Sequence, residues 1–285
     1  MSLLDSFTIL TTTSDGYGNT NKNSTERDNL LKMTLVPVQP GDEFPLKGLT
    51  YGSKTSFFMR SFEVDHAGHT ALGYIIGSRT KSISLKPEYQ NLDGASIRKL
   101  VQSGVTVQVD PIEQIEVAYT GDTCKRGLMK DRRHSPEANV EQFRESVKNL
   151  NQAFQAELLI CELTFLDSTE DEFQRRKSEE RGHLHICDLN EIFASHGRLE
   201  KPDESKRIIF YHLSGRYSPA LRALDYIAAG LPSELRRSCH VAIMSHLSEN
   251  EKSSNHGMKE MIKPNGCILV EDYIRWKEEN NMGNV

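Results

Sequence analysis

The chain has 285 residues, of which 37% are hydrophobic and 26% are charged. This composition is typical of a globular protein, and the length allows one large domain or two smaller ones. The formal net charge of −5 excludes a surface that is basic throughout, so a nucleic acid would have to bind at a local cluster of positive charge.

The cysteines and the hydropathy pattern limit the class of protein further. Five cysteines are widely spaced and form no C-x-x-C motif, which argues against a disulfide framework and a structural zinc knuckle. We therefore expect reduced thiols in an intracellular protein, with cytoplasm, nucleus and organelle all left open. No segment approaches the roughly 18 continuous apolar residues that a membrane span needs, so no membrane partner is expected.

The first third of the chain is predicted to be a polar arm followed by strands. Residues 1–32 form the predicted disordered or variable arm, because polar residues dominate positions 11–30 and apolar periodicity is almost absent there. A turn is predicted at residues 40–44. Beta-rich runs are found at residues 34–39, 55–65 and 71–79. His66 and His69 lie between the last two runs.

Helices and strands alternate in the remaining chain. Helices are predicted at residues 95–102, 135–155, 189–196 and 219–229, and strands at residues 114–120, 158–161, 207–211 and 239–244. This order predicts an α/β (α+β) domain over residues 33–247, with stacked sheets covered by helices. A polar linker and tail is predicted at residues 248–285, of which residues 267–270 and 273–276 could pack back.

Asp122 and two histidines come just beyond apolar or glycine-marked elements. Asp122 directly follows a predicted strand, so its carboxylate can point out of a sheet edge and bridge two cations; the alternative is a turn residue or helix cap. His183 and His185 share one face if their segment is extended, but they diverge if they open a helix. Such an H-x-H pair indicates a metal site, although one of the two could instead be a surface residue.

A further histidine and a further acid also follow predicted strands. His212 precedes a Ser-Gly turn, where ligands collect on α/β scaffolds, although it could be a satisfied edge histidine. Glu162 could form a salt bridge with Arg181 or Arg216, or hold a catalytic imidazole in one tautomer. Together these residues indicate a hydrolytic metal site whose ligands arrive on different strand ends.

These segments resemble ribonuclease Z, the endonuclease of the metallo-β-lactamase superfamily that removes the 3′ trailer of precursor tRNA. The resemblance is closest to short plant-type members and extends from about residue 38 to residue 244. It is carried by Gly121-Asp-Thr123, Glu162-Leu-Thr-Phe165, Gly182-His-Leu-His185 and His212-Leu-Ser-Gly-Arg-Tyr217. It implies a metallo-β-lactamase-like αββα sandwich, incomplete at the N-terminus, and a zinc-dependent endoribonuclease that uses metal-hydroxide attack on a phosphodiester.

The resemblance also implies a role for each candidate residue. Asp122 would bridge two zinc ions, with His212 completing the second site and His66 binding in the first. His69 is a rival of His66 because the spacing to the next family glycine departs by about one residue. His183 would donate a proton to the leaving 3′ oxygen.

Glu162 would orient His183. No His-x-His-x-Asp-His run, the family motif that supplies most of the metal ligands, is found in the sequence. Each zinc would then keep two protein ligands, Asp122 with either His66 or His212. Because a catalytic zinc normally has about three, we expect weak zinc binding.

The departure from the family leaves several alternatives open. The chain could be the C-terminal part of a longer product or a relative that has lost catalysis. Its function could also be that of a non-catalytic homologue binding RNA or a partner, or of another superfamily hydrolase. Precursor tRNA and a possible homodimer are the expected partners. Basic clusters at residues 125–126, 130–134 and 175–177 could contact RNA or be solvated, whereas Arg216 and Tyr217 are expected to pack.

Overall fold

The computed structural model describes residues 6–11, 33–51, 54–129, 140–167, 172–199, 205–243, 247, 261–263 and 266–280. The strands are β1 (Ser6–Thr11), β2 (Met33–Val38), β3 (Glu43–Tyr51), β4 (Thr55–His66), β5 (His69–Thr80), β6 (Ile112–Tyr119), β7 (Leu158–Glu162), β8 (Arg207–Tyr211), β9 (Cys239–Ala242) and β10 (Cys267–Leu269). The helices are α1 (Gly94–Gln102), α2 (Lys125–Leu128), α3 (Val140–Ala153), α4 (Glu172–Glu180), α5 (Leu189–Ser195), α6 (Ala220–Gly230) and α7 (Val270–Glu279). The mixed α/β class predicted from the sequence is confirmed.

Eight strands form one mixed sheet in the order β10-β9-β8-β7-β6-β5-β4-β3. Neighbours from β3 to β6 are antiparallel, those from β6 to β9 are parallel, and β10 runs antiparallel to β9. The predicted alternation of helices and strands therefore corresponds to the parallel half of the sheet.

The N-terminal strand lies outside this sheet. Ser6–Thr11 pairs antiparallel with β2 in a separate two-stranded sheet. Residues 6–11 therefore form a strand, where a disordered or variable arm was predicted. Residues 12–32 of that arm lie outside the described residues. Strand β3 was also not predicted. It carries Pro45 in its interior, which an edge strand tolerates because one row of its backbone groups faces away from the sheet.

The C-terminal segment returns to the sheet. Strand β10 pairs with β9, and helix α7 packs on α6, where Tyr273 Oη donates a hydrogen bond of 2.6 Å to Asp225 Oδ1. The sheet thus extends beyond residue 247, where a polar linker and tail was predicted. The two short segments that could pack back both do so.

Most of the hydrophobic core lies on one face of the parallel strands. Alternate residues on this face are fully or almost fully buried: Ala118, Leu159, Cys161, Ile208, Phe210, Cys239 and Val241. They form one continuous cluster with buried residues of α3, α5, α6 and α7. The helices therefore cover this face of the sheet.

The cysteines and the apolar character of the helices were also considered in the sequence. All five cysteines are free thiols, as predicted. In the part of the chain that the structure describes, no helix has the length and apolar character required to cross a membrane.

Candidate metal centre

The parallel strands β6, β7 and β8 deliver their C-terminal residues to one edge of the sheet, where ligands commonly bind in α/β folds. Asp122 follows β6 after a turn at Gly121, whose φ is +67°. Glu162 is the last residue of β7. His212 directly follows β8 and has a φ of +63°, a left-handed conformation that is uncommon outside glycine and that concentrates at functional sites.

One acid and two histidines converge at this edge. Asp122, His183 and His212 each offer one ligand atom, and these atoms lie within 4.8 Å of one another. Nε2 of His212 is 3.8 Å from Oδ2 of Asp122. These two side chains are 43% and 40% exposed, so solvent reaches the centre. No second cluster of this kind was found among the described residues.

The hydroxyl of Thr164 determines which nitrogen of His212 faces the centre. Thr164 Oγ1 lies 2.9 Å from Oε2 of Glu162 and 2.8 Å from Nδ1 of His212. A hydroxyl has one hydrogen, and the carboxylate of Glu162 and the carbonyl oxygen of His212, 3.0 Å away, can only accept it; Thr164 therefore accepts from Nδ1–H of His212. Nε2 of His212 therefore carries the free lone pair and can bind a metal.

Glu162 joins three separate chain segments. Its fully buried carboxylate accepts hydrogen bonds from the backbone N–H groups of Leu184 (2.8 Å) and Thr123 (3.3 Å), and the hydroxyl of Thr164 lies within hydrogen-bond distance as well. Glu162 forms neither of the salt bridges to Arg181 or Arg216 that the sequence left open; Arg216 pairs with Asp167, and the ionic contact of Glu162 is with His183. Glu162 thus fixes the backbone around the candidate centre.

Glu162 also acts on His183. Nδ1 of His183 lies 3.3 Å from Oε1 of Glu162, a close electrostatic contact without the direction of a good hydrogen bond. The carboxylate raises the pKa of His183, against the opposite effect of burial, and Asp122 adds to the rise. The His183 ring lies 5.0 Å from that of His212, between centroids.

Replacing Glu162 with glutamine is expected to move the titration of His183 to lower pH in the metal-free protein. The charge that raises the His183 pKa is lost, while the amide keeps one acceptor for the N–H of Leu184. Because the pKa of His183 is raised in the folded state, protonation of His183 stabilises the fold fully at pH values below its ordinary pKa of 6.5. This stabilisation is lost as the pH rises through the pKa of the folded state. The variant should therefore be less stable by about 1–3 kcal/mol at pH 5, and by less at pH 8.

Imidazole NMR signals and urea unfolding at both pH values measure these two effects. An unchanged or higher His183 titration midpoint in Glu162→Gln would show that the carboxylate does not set the protonation of this imidazole.

His66 lies beside the centre but outside the triad. Its Nδ1 is hydrogen-bonded with the carbonyl oxygen of Gly182 at 3.0 Å, and its ring centroid is 5.1 Å from that of His183. His69 pairs with His66 across a two-residue turn, and its side chain is exposed. Zinc binding by His66 therefore stays a prediction. The structure gives no evidence that His69 binds the first zinc in its place.

Gly182 determines how the loop of His183 approaches β4. Its φ is +77°, and an added Cβ would lie 2.2 Å from the backbone nitrogen of Ala67 and 2.7 Å from Nδ1 of His66. The loop can pack against the turn of β4 only because this position has no side chain.

Gly182→Ala is expected to destabilise the fold by at least about 4 kcal/mol, because it combines left-handed strain with a backbone clash. Gly104→Ala is the matched control: its φ is +84°, but an added Cβ meets no atom within 4 Å. We expect the control to lose about 1–2 kcal/mol. Equal losses of unfolding free energy in chemical denaturation would contradict the close approach.

His185, the second histidine of the H-x-H pair, does not belong to the triad. It caps a short 3-10 helix, where its Nδ1 accepts a hydrogen bond of 3.3 Å from the N–H of Cys187. Burial lowers the pKa of His185. His185 is buried and serves as the cap of this helix. The two histidines therefore diverge, which is the alternative predicted for a segment that opens a helix.

The basic clusters are largely paired with acids. Lys125 pairs with Glu191, Arg126 with Asp65, Arg175 with Asp188 and Arg176 with Glu180. Residues 130–134 lie outside the described residues. Tyr217 donates a hydrogen bond of 2.7 Å to Asp167 and accepts one from the N–H of Leu166, which confirms that it packs.

The donor set of the triad is chemically suited to zinc. Carboxylate and imidazole groups are common zinc ligands, and ligand atoms around a tetrahedral ion lie about 3.3 Å apart for bonds of about 2.0 Å. The 3.8 Å between Asp122 and His212 is close to this spacing. The tautomer of His212 and the solvent access of the centre also fit a catalytic ion.

The sequence missed two contributors to this geometry, Thr164 and Gly182. Both lie inside the segments that resemble ribonuclease Z, and this location was the signal in the sequence that could have identified them. No known family model matches the chain, and no curated protein matches it.

Proposed function

We propose that this chain is a zinc-dependent endoribonuclease of the ribonuclease Z type, which removes the 3′ trailer of precursor tRNA. The observation that carries the proposal is the convergence of Asp122, His183 and His212 within 4.8 Å at the ends of separate elements. A solvent-accessible cluster of this composition suits metal-assisted hydrolysis better than a purely structural role.

In this proposal Asp122 and Nε2 of His212 hold the metal. When bound, zinc supplies Lewis acidity that activates water and neutralises charge on the phosphodiester. His183 donates a proton to the leaving 3′ oxygen, and Glu162 orients its ring and favours its protonated form. The described residues bring together ligands for one ion, and a second ion would depend on His66.

The fold supports the same assignment. One sheet with helices packed on one face is compatible with half of the four-layer αββα sandwich of the metallo-β-lactamase superfamily. The ligands also follow strands at the carboxyl edge of the sheet, where catalytic residues of α/β proteins collect. We therefore include this sandwich architecture in the proposal.

Comparing two substrates tests the assignment. The zinc-loaded protein is incubated with a precursor tRNA carrying a 3′ trailer and, separately, with bis(p-nitrophenyl) phosphate. We expect cleavage of the precursor at the 3′ end of the mature tRNA. Turnover of the small diester with an intact precursor would instead assign another hydrolase of the superfamily, and binding without cleavage would indicate a non-catalytic homologue.

A further inference from the structure

Helix α4 leads directly into the loop that carries His183, but apolar packing contributes little to holding this helix in place. Ser178 is its one buried residue, and Phe173, its one large apolar side chain, is 70% exposed. Most helices of globular proteins are stabilised by packing of an apolar face against the core. The position of α4 therefore depends on its polar contacts.

An ion pair connects α4 to the segment that follows His183. Nε and Nη2 of Arg175 lie 3.1 and 2.9 Å from Oδ1 of Asp188, which directly precedes helix α5. The side chain of Asp188 is 6% exposed, whereas that of Arg175 is 45% exposed. A partly buried ion pair is screened less by solvent and salt than a fully exposed one. This pair closes the loop from residue 175 to residue 188, and His183 lies within it.

Hydrogen bonds connect this ion pair to the backbone of His183. The N–H of His183 donates to the carbonyl oxygen of Ser178 at 2.9 Å. The hydroxyl of Ser178 donates to the carbonyl oxygen of Arg175 at 2.7 Å. The turn of α4 that begins at Arg175 is thus bonded to the backbone of His183, so a displacement of this turn moves the imidazole.

A second polar contact joins α4 to the segment of His212. Nη1 of Arg216, which follows His212 in the chain, donates a hydrogen bond of 3.0 Å to Oε1 of Gln174. Helix α4 is therefore held by polar contacts to the segments of both candidate histidines. Its position determines where His183 lies relative to His212.

We propose that Arg175 and Asp188 are positioning residues, whose ion pair holds α4 so that His183 keeps its contact with Glu162. The consequence for catalysis rests on the proton-donor role of His183 in the proposed function. Neither Arg175 nor Asp188 belongs to the triad, so zinc binding does not depend on them. Because Arg175 is already paired with Asp188, its loss should affect kcat rather than KM.

Two measurements on Arg175→Ala test the proposal. We expect kcat for a precursor tRNA to fall about 10–100-fold with unchanged KM and zinc content, because small misplacements of a catalytic group cost rates of this order. In hydrogen–deuterium exchange, the amides of residues 175–183 should exchange at least about 10-fold faster, while those of β7 keep their rate. Arg175→Lys keeps the charge opposite Asp188 and should restore kcat to within about threefold of the wild type.

Arg176→Ala is the matched control. Arg176 is the next residue of α4, its side chain is 80% exposed, and it pairs within the helix, with Glu180 at 3.0 Å. Its replacement removes the same charge but leaves the ion pair of Arg175 intact, so kcat and exchange should match the wild type. Asp188→Asn should reproduce Arg175→Ala, and combining the two changes should add no further loss.

Hydrogen exchange needs no substrate, so it separates this proposal from the proposed function. If the wild type cleaves no precursor tRNA, the proposed function fails, while faster exchange in Arg175→Ala still supports the ion pair as the anchor of His183. Unchanged exchange in both Arg175→Ala and Asp188→Asn would overturn the proposal. A higher KM with an unchanged kcat would overturn it too, because Arg175 would then contact RNA instead of positioning His183.

Discussion

Asp122→Ala is expected to remove zinc from the protein and to abolish hydrolysis. Asp122 is the one carboxylate of the triad, and Oδ2 faces the free nitrogen of His212 at 3.8 Å. Removing it leaves the triad with no anionic ligand for a divalent cation. The affinity should fall by more than the 10–100-fold that loss of a residue supporting a ligand costs. Zinc content after dialysis against a weak chelator measures the change.

Asp110→Ala is the control for this experiment. Asp110 is exposed and belongs to no metal-binding cluster among the described residues. Its replacement should leave zinc content and activity unchanged. If Asp122→Ala retains wild-type zinc, this carboxylate is not a ligand and the candidate centre is wrong.

His183→Ala is expected to lower turnover by about 10²–10⁴-fold while zinc stays bound. The predicted role of His183 is proton donation, for which the contact with Glu162 prepares it. Its position within the triad also permits it to bind the metal, and zinc content separates the two roles. Single-turnover cleavage and zinc analysis should therefore be performed on the same preparation.

His69→Ala provides a matched control, because it removes an exposed histidine outside the triad. We expect it to match the wild type in both measurements. Loss of zinc in His183→Ala would make His183 the third ligand. Full activity in His183→Ala would exclude both roles.

The sequence predicted the position of three site residues because it predicted the strands before them. Asp122, Glu162 and His212 each follow an apolar run, and parallel neighbours must end at the same sheet edge. The contact between Glu162 and His183 was expected from the resemblance, and the structure shows it. Local pattern and topology agree at these positions.

The different positions of His183 and His185 could not be predicted from spacing. An H-x-H segment places both side chains on one face only in extended structure, whereas here a 3-10 helix begins directly after His185. The positive φ of Gly182 turns the loop towards β4, and that approach depends on residues more than 100 positions earlier in the chain. Such long-range packing leaves no local sequence pattern.

Helix α4 also escaped prediction for a physical reason. Among its nine residues only Ser178 is buried, so it has no apolar stripe that a helical period could reveal. The parallel strands β7 and β8 show the opposite limit. They are apolar on both sides, which predicts burial of both faces, but the sequence does not state what packs on each one.

Zinc-edge anomalous diffraction from crystals of the zinc-loaded protein tests the metal centre most directly. The triad geometry predicts an anomalous peak about 2.0–2.2 Å from the carboxylate of Asp122 and from Nε2 of His212. A zinc-loaded crystal with no peak between these two groups, or with its zinc bound elsewhere in the chain, would contradict the proposed centre.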